Sequence, residues 1–322
     1  MKDQILILSL ILIIIALSLT VLLLIYYIHV DKLKQKNTQN ATPQKSKRFG
    51  SYILFKQIGN GGMANIYLAK KKNEKKPMAV KILKTQKDKD SVKRFLAEGK
   101  NIEKINTFYP ESPVVKIHEY GRETNTGHYY IAMEYLKGGD LKQLLDTKAH
   151  FSLYFKIFIV KEVAKALRDS HKQDIYHRDI TPENIIIDKK SKKVTVIDFG
   201  IAKEKFSKIH TTTGVIMGKL GYMSPEQILG KKITGKSDIY SLGAVFFHML
   251  EGTPPFNSEN PYEIAKRLSS PAPEIKVPVP EELKNFIYKM LEKKPKNRPD
   301  ASEVIEAMKE FIDRSGELQY KT

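Results

Sequence analysis

The sequence predicts an α+β fold, with strands concentrated in the first half of the folded region, helices in the second, and one apolar helix at the N-terminus. Three observations indicate this. Residues 51–72 contain two strand-like segments around a glycine-rich turn. Apolar side chains recur every four residues at Phe155, Ile159, Val163 and Leu167, which is typical of a helix with one buried stripe. Residues 5–28 carry no charge and consist almost entirely of Ile, Leu and Val.

Size and composition set the limits for the remaining inferences. The 322 residues are enough for one domain of about 250 residues with additional segments. There are 55 Lys and Arg against 36 Asp and Glu, so the formal net charge of +19 would suit a nucleic acid or an anionic membrane. The lysines are scattered and no basic helix with interleaved aromatics stands out, so we interpret most of them as solvated surface and expect no nucleic-acid partner. The absence of Cys excludes disulfides and thiolate metal sites.

The apolar run at residues 5–28 is long enough to span a membrane. As a helix its 24 residues would extend about 36 Å, whereas the hydrocarbon core is about 30 Å thick. The alternative is a cleaved signal peptide, whose apolar region measures about 7–15 residues. This run is longer and ends in Tyr26 and Tyr27, which suit an interfacial aromatic belt. We therefore predict an uncleaved transmembrane anchor in residues 1–30.

The residues that flank the run predict its orientation. Lys2 is the only basic side chain before it, whereas six follow it: Lys32, Lys34, Lys36, Lys45, Lys47 and Arg48. The positive-inside rule places the C-terminal bulk in the cytoplasm, as expected for a single-pass protein of the cell membrane. Residues 31–48 form a basic juxtamembrane linker. Its lysines could hold anionic lipid at about 1 kcal/mol each or could only set the topology, and the sequence leaves both readings open.

A glycine-rich turn in residues 59–64 is a candidate phosphate-binding loop. It comprises Gly59, Asn60, Gly61, Gly62, Met63 and Ala64. Glycines let backbone N–H groups approach phosphate oxygens closely, although such a turn could equally be a plain hairpin. Lys81 lies in the next apolar run, and Glu98 lies near the middle of a helix-like segment that carries Phe95, Ile102 and Ile105 on one side.

Two carboxylates and an amide surround a predicted hairpin further along the chain. Ile185–Ile187 and Val194–Ile197 are strand-like and separated by Lys-rich polar residues. Asp179 and Asn184 precede the hairpin, and Asp198 follows it. We therefore expect these three groups at one mouth, where oxygen ligands of this kind suit Mg²⁺ together with substrate phosphates.

These motifs together resemble those of protein kinases. His177-Arg178-Asp179 with Asn184 resembles the catalytic loop, and Asp198-Phe199-Gly200 resembles the metal-binding loop. The glycine loop and Ala79-Val80-Lys81 resemble the nucleotide-binding motifs. Within the family the chain is most similar to bacterial-type serine/threonine kinases, through the Gly-Gly-Met-Ala loop and Tyr-Met-Ser-Pro-Glu. The resemblance implies a bilobal kinase domain over residues 49–312, followed by a tail at 313–322.

The resemblance assigns roles to individual residues. Lys81, held by Glu98, would pair with the α- and β-phosphates of ATP. Asp179 would accept or orient the proton of the substrate hydroxyl, while Asn184 and Asp198 would hold Mg²⁺, with Mn²⁺ as an alternative ion. The residues implied at the adenosine are Ile58, Ile66, Ala79 and Ile186 around the ring, Met133 and the backbone of Glu134 to Leu136 at its edge, and Asp140 at the ribose.

One pair of positions departs from the family. Where serine/threonine kinases usually carry Lys two residues after the catalytic aspartate, this chain has Thr181, and where the activation segment usually has Thr, it has Lys219. We expect Lys219 to reach in and supply the missing ammonium; the alternative is that it points to solvent and the enzyme is impaired. The resemblance also implies that Asp238 binds catalytic-loop N–H groups and that Glu226 pairs with Arg298.

The sequence therefore predicts an ATP-dependent protein serine/threonine kinase. Its partners would be protein hydroxyls and a second copy of itself, through autophosphorylation of the polar loop between Gly200 and Gly218, where Arg178 could bind the phosphate. An alternative is a membrane-tethered pseudokinase that binds nucleotide without chemistry. A membrane-bound nucleic-acid binder is a further alternative, which no motif supports.

Overall fold

In a computed structural model the described residues are 47–147, 149, 151–199, 218–256 and 268–319. The chain divides into two compact units, residues 1–47 and 48–322, and almost all described residues belong to the second. The predicted anchor at residues 5–28 lies outside the described residues. Within them, no helix combines the length and apolar character needed to cross a bilayer.

The N-terminal lobe is built on a six-stranded sheet with one helix. The order β1-β2-β3-β4-β6-β5 comprises β1 Lys47–Phe49, β2 Tyr52–Asn60, β3 Ala64–Lys71, β4 Pro77–Leu83, β5 Ile117–Arg122 and β6 Tyr129–Glu134. Helix α1, Lys89–Phe108, begins after the cap Asp88 and packs on β5 and β6. It buries Phe95, Ile102 and Ile105, as their one-sided spacing predicts.

The C-terminal lobe contains a small sheet and most of the helices. Its elements are β7 Gly139–Asp140, α2 Leu141–Asp146, α3 Leu153–His171, β8 Ile185–Asp188, β9 Lys193–Val196, α4 Pro225–Ile228, α5 Gly235–Glu251, α6 Glu281–Met290 and α7 Ala301–Gln319. Helix α3 packs against both α5 and α7. Helix α5 is apolar on nearly every side because it lies in the centre of this lobe, and all its residues from Ser237 to Leu250 are buried.

The predicted hairpin is confirmed and positions the site. Strands β8 and β9 pair antiparallel, with Ile185 opposite Val196 and Asp188 opposite Lys193. Their inward side chains lie in the main hydrophobic core. Because Asn184 precedes β8 and Asp198 follows β9, the two ligand candidates leave the hairpin at the same end.

The outermost elements extend beyond the boundaries expected from the resemblance. Strand β1 begins at Lys47, and helix α7 continues to Gln319, past residue 312. Arg314 lies 3.9 Å from Glu310 one turn earlier and 3.8 Å from Glu282 of α6. Ion pairs of this kind stabilise a solvent-exposed helix. The sequence pattern indicates a tail at residues 313–319 because this segment has few apolar residues.

Candidate active site

Lys81 joins the two lobes through its ammonium group. It lies on the central strand β4, opposite Ile66 of β3 and Ile131 of β6. Its Nζ donates to Glu98 Oε1 on α1 at 2.7 Å and to Asp198 Oδ1 after β9 at 2.6 Å. Three groups that are far apart in sequence therefore meet at one point.

The charges in this cluster depend on one another. Burial opposes the charge on Lys81, but attraction to Asp198 and Glu98 outweighs it and raises the pKa of Lys81 above its ordinary value. Burial likewise opposes ionisation of Asp198, and the ammonium keeps the pKa of Asp198 below its ordinary value. Burial raises the pKa of Glu98, against the attraction of Lys81. The arrangement favours an ionised Lys81–Asp198 pair at the mouth of the cleft.

Asp179 and Asn184 are tied together within the loop that precedes β8. Asn184 Nδ2 donates to the Asp179 backbone oxygen at 2.7 Å and to its carboxylate Oδ2 at 3.1 Å. A short 3-10 turn, Pro182–Asn184, brings them close, with Pro at its first position. Because the amide nitrogen is engaged, the amide oxygen Oδ1 is the atom of Asn184 left to bind a cation.

The donor set fits a magnesium ion only in company with a phosphate. Asp198 has a partly exposed carboxylate and a left-handed backbone with φ of 62°. Asn184 supplies one amide oxygen. Among the described residues there is no cluster of three or more His, Cys, Asp or Glu that could hold a metal alone. Mg²⁺ commonly keeps several waters and uses one or two carboxylates with substrate phosphates, so these two side chains suit it.

Asp238 fixes the backbone of the catalytic loop, as expected from the resemblance. The carboxylate is almost fully buried in the first turn of α5 and accepts from the N–H groups of His177 at 2.9 Å and Arg178 at 2.7 Å. His171 Nε2 lies 2.8 Å from the same carboxylate. Burial opposes ionisation, but these partners hold the pKa of Asp238 below its ordinary value. Arg178 itself has a left-handed φ of 64°, which this anchoring maintains.

The expected pair between Glu226 and Arg298 is also present. The guanidinium is completely buried and forms a forked pair, with Nη1 to Oε1 at 2.7 Å and Nη2 to Oε2 at 2.9 Å. Ser237 adds a hydrogen bond to Glu226 Oε1 at 2.6 Å. The pair and its Ser237 partner join α4, the start of α5 and the loop before α7.

The glycine-rich turn connects β2 and β3 at the edge of the cleft. Gly61 N–H donates to the Ala64 carbonyl at 3.0 Å, which closes the turn. The Ala64 methyl is buried in the main core, which explains why an alanine suits this position. Ile58 and Met63 are more than one-third exposed, and they lie on the rim of the turn.

The residues predicted to surround the adenosine lie on strands of both lobes. Ala79 pairs with Met133 across β4 and β6, Ile66 lies on β3, and Ile186 on β8. The Glu134 N–H is not available for a ligand because it donates to the Lys116 carbonyl at 2.8 Å.

Asp140 and Leu136 complete that set. One carboxylate oxygen of Asp140 accepts from the Gln143 N–H at 2.8 Å and caps α2, which leaves its other oxygen for a hydroxyl. Leu136 is partly buried against the main core.

The structure describes the side chain of Thr181 but only the backbone of Lys219. Thr181 is buried, and among the described residues its hydroxyl has no hydrogen-bond partner. The backbone of Lys219 lies in a short 3-10 turn, Gly218–Tyr222, whereas its side chain falls outside the described part of the chain. The exchange between the two positions therefore stays a prediction.

Gln227 supports the loop at Arg178, a role that the sequence motifs do not indicate. Its Nε2 donates to the Arg178 carbonyl at 2.8 Å, and its Oε1 accepts from the Ser224 N–H at 3.0 Å. Ser224 and Gln227 form a capping box at the start of α4. The Ser-x-x-Gln spacing is a readable signal for such a cap, although not for the contact with the catalytic loop.

Comparisons with known proteins agree with this geometry. Residues 52–308 match the family model described as "Protein kinase domain". The chain is 36% identical over 264 residues to the serine/threonine-protein kinase PrkC of Bacillus subtilis, covering 80% of this chain and 40% of that protein. It is 32% identical over 264 residues to the serine/threonine-protein kinase PknD of Mycobacterium tuberculosis, covering 80% and 39%. The chain thus spans less than half the length of these relatives.

A solved structure shows the same fold. The crystal structure of the Mycobacterium tuberculosis PknI kinase domain superposes with a TM-score of 0.62 at 23% sequence identity, covering 84% of this chain and 99% of that one. The family match covers residues 52–308, which is most of the chain. The chain belongs to the protein kinase domain family.

Proposed function

We propose that this protein is an ATP-dependent serine/threonine protein kinase that transfers the γ-phosphoryl group to protein hydroxyls. The observation that carries the proposal is the bridge from Lys81 to Asp198 at 2.6 Å and to Glu98 at 2.7 Å, next to the Asp179–Asn184 contact. The printed names of the relatives support the choice of serine and threonine.

The geometry suggests what each side chain contributes. Lys81 neutralises the α- and β-phosphates, and Asp179 orients the attacking hydroxyl and accepts its proton. Asn184 and Asp198 would hold Mg²⁺, or Mn²⁺ as an alternative, and such an ion supplies charge neutralisation across the phosphates. Positioning and charge account for such catalysis because the transferring phosphoryl is loose and anionic.

The nucleotide would lie between the glycine-rich turn and the hairpin. We assign the phosphate cover to Gly59, Asn60, Gly61, Gly62, Met63 and Ala64, and the adenosine contacts to Ile58, Ile66, Ala79, Met133, Glu134, Leu136, Asp140 and Ile186. Within this set, Glu134 contributes through groups other than its N–H, which is engaged by Lys116.

Lys219 is proposed as the second ammonium of the site. Thr181 cannot supply a charge, and its buried hydroxyl has no partner among the described residues. The turn that carries Lys219 is continuous with the segment whose Gln227 binds the Arg178 carbonyl. An ammonium that enters from this segment would leave the charge of the site as in other family members.

Autophosphorylation is proposed for the polar loop at residues 200–217, which lies outside the described residues. Its candidate acceptors are Ser207, Thr211, Thr212 and Thr213. Arg178 is suited to bind the product, because its Nε is buried and has no hydrogen-bond partner among the described residues. A phosphate offers the acceptor oxygens that a guanidinium binds in a forked geometry.

A radiolabel assay tests the proposed activity. The full chain, γ-labelled ATP and Mg²⁺ should yield labelled protein, and Asp179→Asn should abolish the label. Asp174→Asn is the matched control, because Asp174 is exposed, and its left-handed φ of 58° is tolerated by Asn. Nucleotide binding without transfer in the wild-type chain would identify a pseudokinase and overturn the proposal.

The membrane anchor is a separate proposal. Residues 5–28 would cross the cell membrane once, with the kinase domain in the cytoplasm, and residues 31–48 would form the linker before a domain at 49–312. The full chain should stay with membranes during alkaline extraction, and a protease added outside intact cells should not cleave the domain. Release by alkali would contradict the anchor.

A further inference from the structure

Lys84, which lies outside the cluster around Lys81, holds the glycine-rich turn at both of its ends. It directly follows β4, and its backbone N–H donates to the Met63 carbonyl at 2.9 Å. Its ammonium Nζ donates to the side-chain Oδ1 of Asn60 at 2.7 Å. Asn60 is the last residue of β2, and Met63 directly precedes β3. The turn is therefore fastened to the end of β4 at the points where it leaves one strand and enters the next.

The turn itself has few groups that could hold it in place. Gly61 and Gly62 are exposed and have no side chain, and a methyl group on Gly62 would meet no atom beyond its chain neighbours within 4 Å. Within the described part of the chain, the hydrogen bonds that reach residues 60–63 from beyond β2 and β3 both come from Lys84. A glycine backbone has wide conformational freedom, so a turn of this kind needs a constraint from outside.

Strand β4 connects this contact with the lysine bridge. Lys81 lies three residues before Lys84, which is about 10 Å along an extended chain. The ladder between β3 and β4 pairs Ile66 with Lys81 and Ala64 with Leu83, so the turn continues directly from it. Lys84 and its contact with the turn are exposed, whereas the Lys81 side chain is only 11% exposed. The strand thus sets the position of the turn relative to Lys81.

We propose that Lys84 is a positioning residue, which holds the glycine-rich turn over the phosphates of the nucleotide through the side chain of Asn60. The inference deepens the proposed function and rests on it for the assignment of residues 59–64 to the phosphates. A turn that is already fixed loses less conformational freedom when a nucleotide binds, so the nucleotide is bound more tightly. Lys84 acts on the cover and not on the reacting groups, so its loss should weaken nucleotide binding more than it slows phosphoryl transfer.

The chemistry of the contact explains why a lysine suits this place. The backbone bond to Met63 fixes the origin of the side chain, and the flexible stem of the lysine then carries the ammonium to Asn60. An amide oxygen accepts from a charged donor without neutralising it, so positive charge remains next to the turn that would cover the anionic phosphates. The exposed setting limits the size of the effect, because water competes for both partners.

Nucleotide binding tests the proposal without requiring turnover. The probe is the N-methylanthraniloyl derivative of ADP with Mg²⁺, measured by fluorescence anisotropy with the full chain in dodecyl maltoside micelles. Lys84→Met should raise the Kd about fivefold, whereas Lys84→Arg, which keeps a charged donor, should stay within about twofold of the wild type. Lys87→Met, at an exposed lysine of the same loop, is the matched control and should leave the Kd unchanged.

A double-mutant cycle identifies the partner of Lys84. Asn60→Ala should raise the Kd by the same factor, and combining it with Lys84→Met should add nothing, because both changes remove one contact. In the active enzyme, Lys84→Met should raise the KM for ATP about fivefold and change kcat less than about twofold.

The outcomes separate this inference from the proposed activity. Effects that multiply in the double variant, a wild-type Kd in Lys84→Met, or an equal rise of the Kd in Lys87→Met would overturn the positioning role. A wild-type chain that binds ADP without labelling protein would overturn the kinase activity and leave the positioning role standing. Absence of ADP binding by the wild type would overturn both, because the turn would then have no phosphates to cover.

Discussion

Among the described residues of this kinase domain, the buried Arg298 and the nearly buried Lys81 are cations held in different ways. The guanidinium of Arg298 has five N–H donors, and each makes a hydrogen bond: two to Glu226 and one each to the carbonyls of Lys236, Glu292 and Lys293. The ammonium of Lys81 has three donors, of which two are used within the described residues, by Glu98 and Asp198.

The number of hydrogen-bond donors in use distinguishes a structural ion pair, at Arg298, from a ligand-binding site, at Lys81. A saturated, completely buried cation cannot accept another ligand, and breaking any of its contacts leaves a buried charge unpaired. Lys81 keeps one donor, and its partner Asp198 is 38% exposed, so the pair can still receive a phosphate or a cation. The comparison predicts that changes at Arg298 reduce stability, whereas changes at Lys81 reduce turnover.

The largest effect on stability should come from Arg298→Met. Removing the guanidinium leaves the Glu226 carboxylate buried without its partner, which typically lowers the free energy of unfolding by about 3–5 kcal/mol. Urea unfolding monitored by circular dichroism measures this. Arg314→Met is the control, since Arg314 is 61% exposed with carboxylates only at 3.8 and 3.9 Å, and its loss should stay below about 1 kcal/mol.

Combined Arg298→Met and Glu226→Met sharpens that prediction. Replacing both partners of a buried pair by apolar side chains can be nearly neutral, but here three carbonyls and Ser237 would lose their partners as well. We expect partial recovery. A double variant less stable than the single one would contradict the view that the unpaired carboxylate dominates.

The next largest effect should be a loss of catalytic activity in the Lys81→Met variant. Loss of the ammonium should lower kcat/KM about 10³-fold, equivalent to about 4 kcal/mol of transition-state stabilisation, because no other described cation lies on Glu98 and Asp198. Stability should change by no more than about 1 kcal/mol, since Glu98 can take up a proton and Asp198 is partly solvated.

Lys71→Met serves as the matched control for Lys81. Lys71 lies on β3 and pairs with Glu119 at 2.9 Å, but both side chains are about one-third exposed. Its kcat/KM should equal that of the wild type. A similar loss of turnover in both variants would indicate general damage to the lobe rather than a phosphate-binding role for Lys81.

A smaller catalytic effect is expected at the exchanged positions. Lys219→Ala should lower kcat about 10²-fold if its ammonium replaces the one that Thr181 cannot provide. The exchange Thr181→Lys with Lys219→Thr should restore phosphotransfer. Lys232→Ala, a nearby exposed lysine, is the control. Wild-type turnover in Lys219→Ala would reject the hypothesis.

The hairpin was predictable because its signals are local, whereas the contacts of Asp238 and of the Glu226–Arg298 pair were implied by the resemblance to protein kinases. Apolar strands at 185–187 and 194–197 and the position of Asp238 in the first turn of a helix can be read directly from the chain. The full set of hydrogen bonds of Arg298 could not be predicted, since three of its acceptors are backbone carbonyls that only the tertiary fold brings together. The contact between His171 and Asp238 was not predicted for a similar reason, because a histidine at the end of a helix gives no indication of a partner 67 residues away.

Contacts of the nucleotide edge show the same limit. The resemblance assigns backbone groups of Glu134 to an adenine, yet its N–H donates to the carbonyl of Lys116, which lies just before β5. Which N–H groups remain free depends on the register between strands, and the amino-acid types do not encode it. Side-chain motifs therefore locate the site more reliably than they describe its backbone.

The smallest effect is the pH dependence that Asp238 contributes. The pKa of Asp238 is held below its ordinary value in the folded state, so its contribution to stability is fully present above that ordinary value and is lost as the pH falls through the lowered one. Asp238→Asn should lower the free energy of unfolding by about 1–2 kcal/mol near about pH 7, because one backbone N–H then faces an amide nitrogen. The gap to wild type should narrow as the pH falls below the ordinary pKa of an aspartate and through the lowered pKa of Asp238.

Urea titrations across that pH range check the sign, with Asp300→Asn as the matched control. Asp300 also accepts from two backbone N–H groups, those of Ser302 and Glu303, but it is exposed, and Asn caps a helix equally well. Its gap to wild type should be close to zero at every pH. A gap for Asp238→Asn that stays constant into acid would show that shape, and not the buried charge, is what holds the catalytic loop at His177 and Arg178.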